Sequence, residues 1–280
     1  MRDSKSDVVA MWTLNLRRHQ RRALPVLRRA LPVFAAAVAF ATATSCGGST
    51  GEFYILHNQI AGDGCTIPAN ADAPYRGEGV LDVRVSSRDP EAAYLLFPLL
   101  QNDLPDDSEG GVSANRIALS GFEVDLAIAD ASASVRTLFE SIQDAGKSDP
   151  SSAALVSYQV PWSGSLDPAG GHTSAITDGF PAATARRLRD AGVLTDGSIA
   201  RFNVNVRAIG HTLSGRIRSD VFTYPLRVCD GCLIRRIGVC PLPAPILTGG
   251  QCNPGQDSEV DCCTQSGVLM CPASISSSTP

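Results

Sequence analysis

No apolar stretch in this chain is long enough to read as a membrane-spanning helix. The best of them, residues 31–45, falls short of the roughly 20 residues a spanning helix needs, and Pro32 breaks it early. A retained anchor helix is therefore not expected. Lysine is almost missing: only Lys5 and Lys147 occur, so arginine carries the positive charge. Residues 1–45 hold eight Arg and Lys against two Asp, a balance of +6, which leaves 16 basic against 26 acidic residues and a charge near −10 for the remainder. A chain this acidic lacks the clustered basic face that binds nucleic acid or a membrane surface. Histidine is scarce as well, with His57, His172 and His211 far apart beyond residue 45. There is no G-x-S-x-G elbow, no H-E-x-x-H pair, no phosphate-cradling glycine loop and no dinucleotide fingerprint.

What is present begins with an export signal. Arg17, Arg18, Arg21, Arg22, Arg28 and Arg29 form a basic region, followed by the apolar run and then small residues. Ala43-Thr44-Ser45 before Cys46 resembles the bacterial lipobox, with Ala43 in the place of the commoner leucine, and predicts acylation of Cys46. The paired arginines raise twin-arginine export as a minority route, because no pair is followed by Phe-Leu. Met11 is an alternative start, since both the basic and the apolar regions lie after it.

Beyond Cys46 there are eight cysteines: Cys65, Cys229, Cys232, Cys240, Cys252, Cys262, Cys263 and Cys271. In an exported chain, an even set crowded into a Gly- and Pro-rich segment predicts a disulfide framework. The span 229–271 has few large apolar residues and needs covalent closure to hold a shape. If every thiol pairs, Cys65 must reach across to the tail. Cys262 and Cys263 pair outward, because bridging neighbours strains the backbone. Cys229-Asp230-Gly231-Cys232 also has the spacing of a redox pair or of half a zinc site, but no second pair at matching spacing and no histidine lies in the tail. Structural disulfides are the expectation, with no metal and no cofactor.

Between residues 75 and 228 the apolar pattern has period two, as in strands with one buried face. Phe202, Val204 and Val206 alternate with Arg201, Asn203, Asn205 and Arg207. Leu81, Val83 and Val85 alternate likewise, as do Val124, Leu126 and Ile128. Within 117–128 the apolar parity switches across Gly121, which predicts a bulge or corner there. The run 94–100 is apolar on both faces, yet Pro98 argues for an edge or a bulge. Residues 155–164 and 216–228 are further strands. One short helix is predicted at 181–191, with Gly192 as its cap, and a poorly patterned second at 135–145. The fold class is mainly β: an Ig-like antiparallel β-sandwich with one short helix and a disulfide-rich C-terminal segment. The predicted division is 1–45 signal peptide, 46–74 lipid-anchor lead and linker, 75–228 sandwich, 229–273 Cys-rich segment and 274–280 disordered tail.

The segments 94–105 and 117–128, with Asn102-Asp103 in place of the usual Asn-Pro, resemble the two-strand signature of water-stress and late-embryogenesis type Ig-like sandwiches. The segment 162–171 (Trp-Ser-Gly-Ser-Leu-Asp-Pro-Ala-Gly-Gly), the strand 215–228 entering Cys229-Asp230-Gly231-Cys232, and Cys252-Asn253-Pro254-Gly255-Gln256-Asp257 before Cys262-Cys263 resemble uncharacterised exported lipoproteins of myxobacteria-like bacteria. These resemblances imply a sandwich and an envelope location, and they bring no catalytic residues.

Two clusters compete for a chemical role. His172 sits near Ser174 and could act as its base, although a loop histidine near one of many serines is expected by chance. Asp103, Asp106, Asp107 and Glu109 could gather oxygens around calcium, but their spacing is that of a solvated turn and not of a twelve-residue calcium loop. Tyr158 and Trp162 share one face of a strand and read as core. The function expected is therefore a non-catalytic envelope lipoprotein, of the outer membrane or otherwise periplasmic or secreted. It would be held to the membrane by its lipid and bind or support an unspecified partner. The rivals are an exported enzyme, either a serine hydrolase on His172 or His211 or a thiol oxidoreductase on Cys229 and Cys232, and a secreted adhesion module without lipid.

Overall fold

The structure, a computed structural model, describes residues 52–86, 93–108, 111–240 and 246–271. The export signal, Cys46, Glu109 and the tail 274–280 lie outside the described residues. Strand β1 (Phe53–Asn58) comes first, followed by β2 (Gly79–Asp82), the single helical turn α1 (Val83–Ser86), β3 (Tyr94–Leu96), β4 (Pro98–Asn102) and the long β5 (Ile117–Asp130). Helices α2 (Ala133–Gly146) and α3 (Pro150–Ala153) lead into β6 (Ser157–Leu166), β7 (Gly171–Ser174) and β8 (Thr177–Phe180). After α4 (Ala182–Asp190) come β9 (Ile199–Thr212), β10 (Gly215–Arg218) and β11 (Phe222–Cys229). The cysteine-rich part holds β12 (Ile234–Val239), β13 (Val260–Gln265) and β14 (Val268–Met270).

The protein is mainly β. Its largest sheet runs β2-β11-β9-β5-β6, with β10 paired to the far end of β9, and a three-stranded sheet runs β1-β4-β7. Strands β3 and β8 form a two-stranded pair, and β12-β13-β14 a separate small sheet. The alternation in β9 builds the centre: Phe202, Val204, Val206 and Ala208 are fully buried while Arg201 and Arg207 face water. Phe202 meets Phe139 of α2 at 5.4 Å and Phe180 of β8 at 5.1 Å between ring centroids. The inner faces of the two larger sheets, the β3-β8 pair, α2 and α4 thus share one core. Val85, Val260 and Cys262 form a second, smaller one.

Several expectations need correction. The sheets are not wholly antiparallel, since β2 runs parallel to β11 and β12 parallel to β13. Four helices occur among the described residues: those predicted at 181–191 and 135–145 are present as α4 and α2, and the four-residue α1 and α3 were not expected. Helix α2 forms because Ser132 caps it by accepting the Val135 N–H, and Val135, Phe139 and Ile142 recur on one face. Val83 and Val85 do not extend β2. The Asp82 carboxylate accepts the Arg84 N–H at 2.9 Å, and this local bond turns the chain into α1. The predicted linker contains β1, whose Phe53 and Ile55 are buried in the main core.

Two breaks in the pattern have clear causes. At Gly121 the register of β5 shifts against both neighbours, and a Cβ there would lie 2.4 Å from the Val160 carbonyl oxygen. At Pro98 the chain leaves the β3-β8 pair and enters the centre of the three-stranded sheet, with proline as the first residue of β4. The neighbouring Phe97 backbone is satisfied at the end of β1 and just beyond it: its N–H donates to Asn58 Oδ1 at 2.6 Å and its carbonyl accepts the Gln59 N–H at 2.9 Å.

Candidate functional site

The cysteines beyond Cys46 are joined as Cys65–Cys252, Cys229–Cys232, Cys240–Cys263 and Cys262–Cys271. These bridges differ greatly in span, and chain entropy scales with it. Cys65–Cys252 crosses 187 positions and is worth about 5 kcal/mol, whereas Cys229–Cys232 crosses 3 and is worth about 2 kcal/mol. The long bridge fastens the residues ahead of β2 to the cysteine-rich part, close to a polar cluster built on Asp257.

That cluster starts in the core and ends at the surface. Tyr224 of β11 and Tyr94 of β3 meet hydroxyl to hydroxyl at 3.0 Å, and Tyr94 donates to Asp257 Oδ2 at 2.9 Å. Because the Tyr94 proton goes to the carboxylate, Tyr224 must donate to Tyr94, and the bonds run in one direction. Asp257 Oδ1 also accepts the Val80 N–H at 2.7 Å, and Arg76 lies 3.5 Å from Oδ2. Burial raises the Asp257 carboxyl above the ordinary range, outweighing the Val80 N–H and the Arg76 charge. Burial likewise pushes Tyr224 up to about 12 and Tyr94 well above its usual value. Asp257 adopts a left-handed backbone at φ 62, uncommon for a non-glycine residue.

Asp257 and Arg76 open onto a cleft of about 160 Å³ lined also by Gln59, Asn253 and Gln256. Organic ligand sites usually measure roughly 300–1,000 Å³, so this cleft does not enclose a drug-sized molecule. Its amides are also engaged. Asn253 donates from Nδ2 to the Ala93 carbonyl, and Gln256 brackets Leu95 by accepting its N–H at 2.9 Å and donating to its carbonyl at 2.7 Å. The backbone joins in, with Asp82 N–H donating to Gly255 O at 2.8 Å and Asp257 N–H to Val80 O at 3.0 Å. The arrangement is a clamp that holds residues 253–257 between β2 and β3. Sequence reasoning missed it. The signal available was the polar string Asn253-Pro254-Gly255-Gln256-Asp257 immediately after Cys252, in a segment expected to be held by cysteines alone.

The residues singled out from sequence are brought together only in part. His172 Nε2 lies 3.0 Å from Gln101 Oε1, while the Ser174 hydroxyl donates to Gln59 Oε1 at 2.6 Å and stands 2.9 Å from the Pro68 carbonyl, so His172 and Ser174 do not bond to each other. His211 lies in β9 opposite Ala118 and Arg216. His57 stacks on Tyr75 at 4.9 Å, and burial, then the charge of His172, lowers its pKa. Asp103, Asp106 and Asp107 do not form a metal-sized cluster among the described residues. Asp103 accepts from Tyr54 at 2.8 Å and from Gln101 at 2.7 Å, Asp106 accepts the Ser108 N–H and Asp107 the Ala114 N–H. Tyr158 and Trp162 pack against the main core.

The Cys229–Cys232 loop has its own organiser. Asp82, fully buried at the end of β2, accepts the Arg84 and Gly231 N–H groups at Oδ1 and the Leu233 N–H at Oδ2, each at 2.8 to 2.9 Å. Arg84 reaches the same loop through Asp230 at 2.6 Å and also pairs with Asp196, between α4 and β9, at 3.0 Å. No helix among the described residues is long and apolar enough to cross a membrane. No protein family, curated protein or solved structure matches this chain.

Proposed function

We propose that this protein is an exported envelope lipoprotein with a non-catalytic role, binding or structural, held to the membrane by a lipid on Cys46. The single observation that carries the reading is the joining of the eight cysteines beyond Cys46 into four bridges. Such a framework belongs to an oxidising, extracytoplasmic compartment. The basic and apolar N-terminal region and the lipobox-like Ala43-Thr44-Ser45 support the same destination. In this reading the main body is an Ig-like sandwich. Support for that comes from two sheets that present their apolar faces to one core while the β9 arginines and asparagines face outward. The hydrogen bonds of the Asp257 cluster hold residues 253–257 in place, which favours a rigid module over a reactive one.

Intact mass spectrometry of the protein extracted from membranes, with and without reduction before alkylation, tests the proposal. The expected species begins at an acylated Cys46 and takes up eight alkyl groups only after reduction. An unmodified N-terminus removes the anchor, and eight thiols free without reduction remove the framework.

A further inference from the structure

The shortest bridge is also the one best placed to open. Cys229 is 0% exposed and its Sγ faces the Leu81 carbonyl, whereas Cys232 lies at the surface. An external thiol therefore has access to one sulfur of the pair and not to the other. The loop does not depend on the S–S bond for its course, because Asp82 holds the backbone on both sides of Cys232, at Gly231 and at Leu233. One carboxylate oxygen of Asp82 and both sulfurs lie within 4.8 Å of one another. The lone pairs on Asp82 are not exhausted either. Oδ1 accepts two backbone N–H groups, but Oδ2 accepts one and retains a second acceptor position.

We propose that Cys229, Cys232 and Asp82 form a redox-gated site for a thiophilic divalent cation such as zinc, closed as the disulfide and open as the dithiol. C-x-x-C is the spacing with which two cysteines share one zinc, and a carboxylate oxygen completes a three-ligand set with the fourth position left to solvent. Opening requires a thiol reductant. Its thiolate attacks Cys232 Sγ, the S–S bond breaks, and Cys229 leaves with the electron pair and takes a proton. A second thiol resolves the mixed disulfide at Cys232, so one bridge is reduced while two reductant thiols become one disulfide. Zinc then replaces the two thiol protons, which pass to solvent, and Asp82 adds its oxygen. This inference does not depend on whether Cys46 carries a lipid.

The test titrates the full oxidised chain with dithiothreitol, with and without zinc, and follows it by peptide-mapped alkylation and by metal analysis of the desalted protein. Cys229 and Cys232 are expected to become alkylatable before the other six bridged cysteines. One zinc per chain should then bind and protect both thiols. Asp82→Asn should weaken zinc binding by about tenfold or more without stopping reduction of the pair. Since Asp82 is buried, Cys232→Ser at the exposed position serves as the second variant, and it should abolish binding while circular dichroism stays unchanged. Open thiols that take up no zinc, zinc retained in Cys232→Ser, or folded Asp82→Asn with unaltered affinity would each overturn the site.

Discussion

At the scale of single residues, Asp257 shows how a buried charge is tolerated. Its carboxylate is held by Tyr94, Val80 and Arg76, yet burial dominates and raises its pKa. A carboxyl raised on folding contributes most below its unfolded value, near 3.8, and loses that contribution as pH rises through the folded value. Asp257→Asn resembles the protonated form at every pH. The stability of the wild type minus that of this variant should therefore fall as the pH rises above about 3.8, as read from urea unfolding. A difference that grows as the pH rises would show that Arg76 and the Val80 N–H outweigh burial. Gly79 belongs to the same cluster, since a Cβ there would lie 2.1 Å from the Tyr94 hydroxyl. The absence of a side chain at residue 79 is what lets Tyr94 reach Asp257.

At the scale of elements, β5 depends on one glycine. Gly121 has φ +151, and a methyl group would meet the Val160 carbonyl oxygen, a backbone atom that cannot rotate away. Gly121→Ala should destabilise the fold by about 2 kcal/mol or more, measured as a lowered urea midpoint with unchanged slope. Retention of wild-type stability would mean that the bulge is not fixed by this contact. Gly121 was also the most legible break in the sequence, because a bulge reverses which face is apolar and leaves a change of parity behind. Strand β9 was legible for the same reason, its alternation surviving intact through Phe202, Val204 and Val206. Helix α1 was not, since Leu81, Val83 and Val85 keep the spacing of a strand and only the side-chain bond from Asp82 to Arg84 ends it. Strand β1 escaped notice because it is brief and stands among turn residues, and its partner β4 lies forty positions later. The Asp257 clamp was hidden most deeply. Tyr94, Tyr224 and Asp257 come together only through long-range contacts, and nothing local in the sequence marks such a meeting.

At the scale of the whole molecule, Cys65–Cys252 and the clamp at 253–257 fasten the same C-terminal segment, the bridge covalently to residues ahead of β2 and the clamp by hydrogen bonds to β2 and β3. Cys65→Ser combined with Cys252→Ser should lower stability by up to about 5 kcal/mol, seen in thermal and urea unfolding, because the loop it closes is so long. A loss under about 1 kcal/mol would mean that the bridge does not restrict the unfolded chain as its span requires. The same bridge also sets an order of assembly. Synthesis runs from the N-terminus, and the first thiol to follow Cys65 in the folded part is Cys229, not Cys252. Oxidation in order of appearance would therefore join the wrong pair. Strand β2 meanwhile waits for β11, and Asp82 for Gly255, before its backbone finds partners. The native pairing of Cys65 thus waits for the last quarter of the chain, and any bridge that Cys65 forms before then has to be exchanged by thiol–disulfide chemistry.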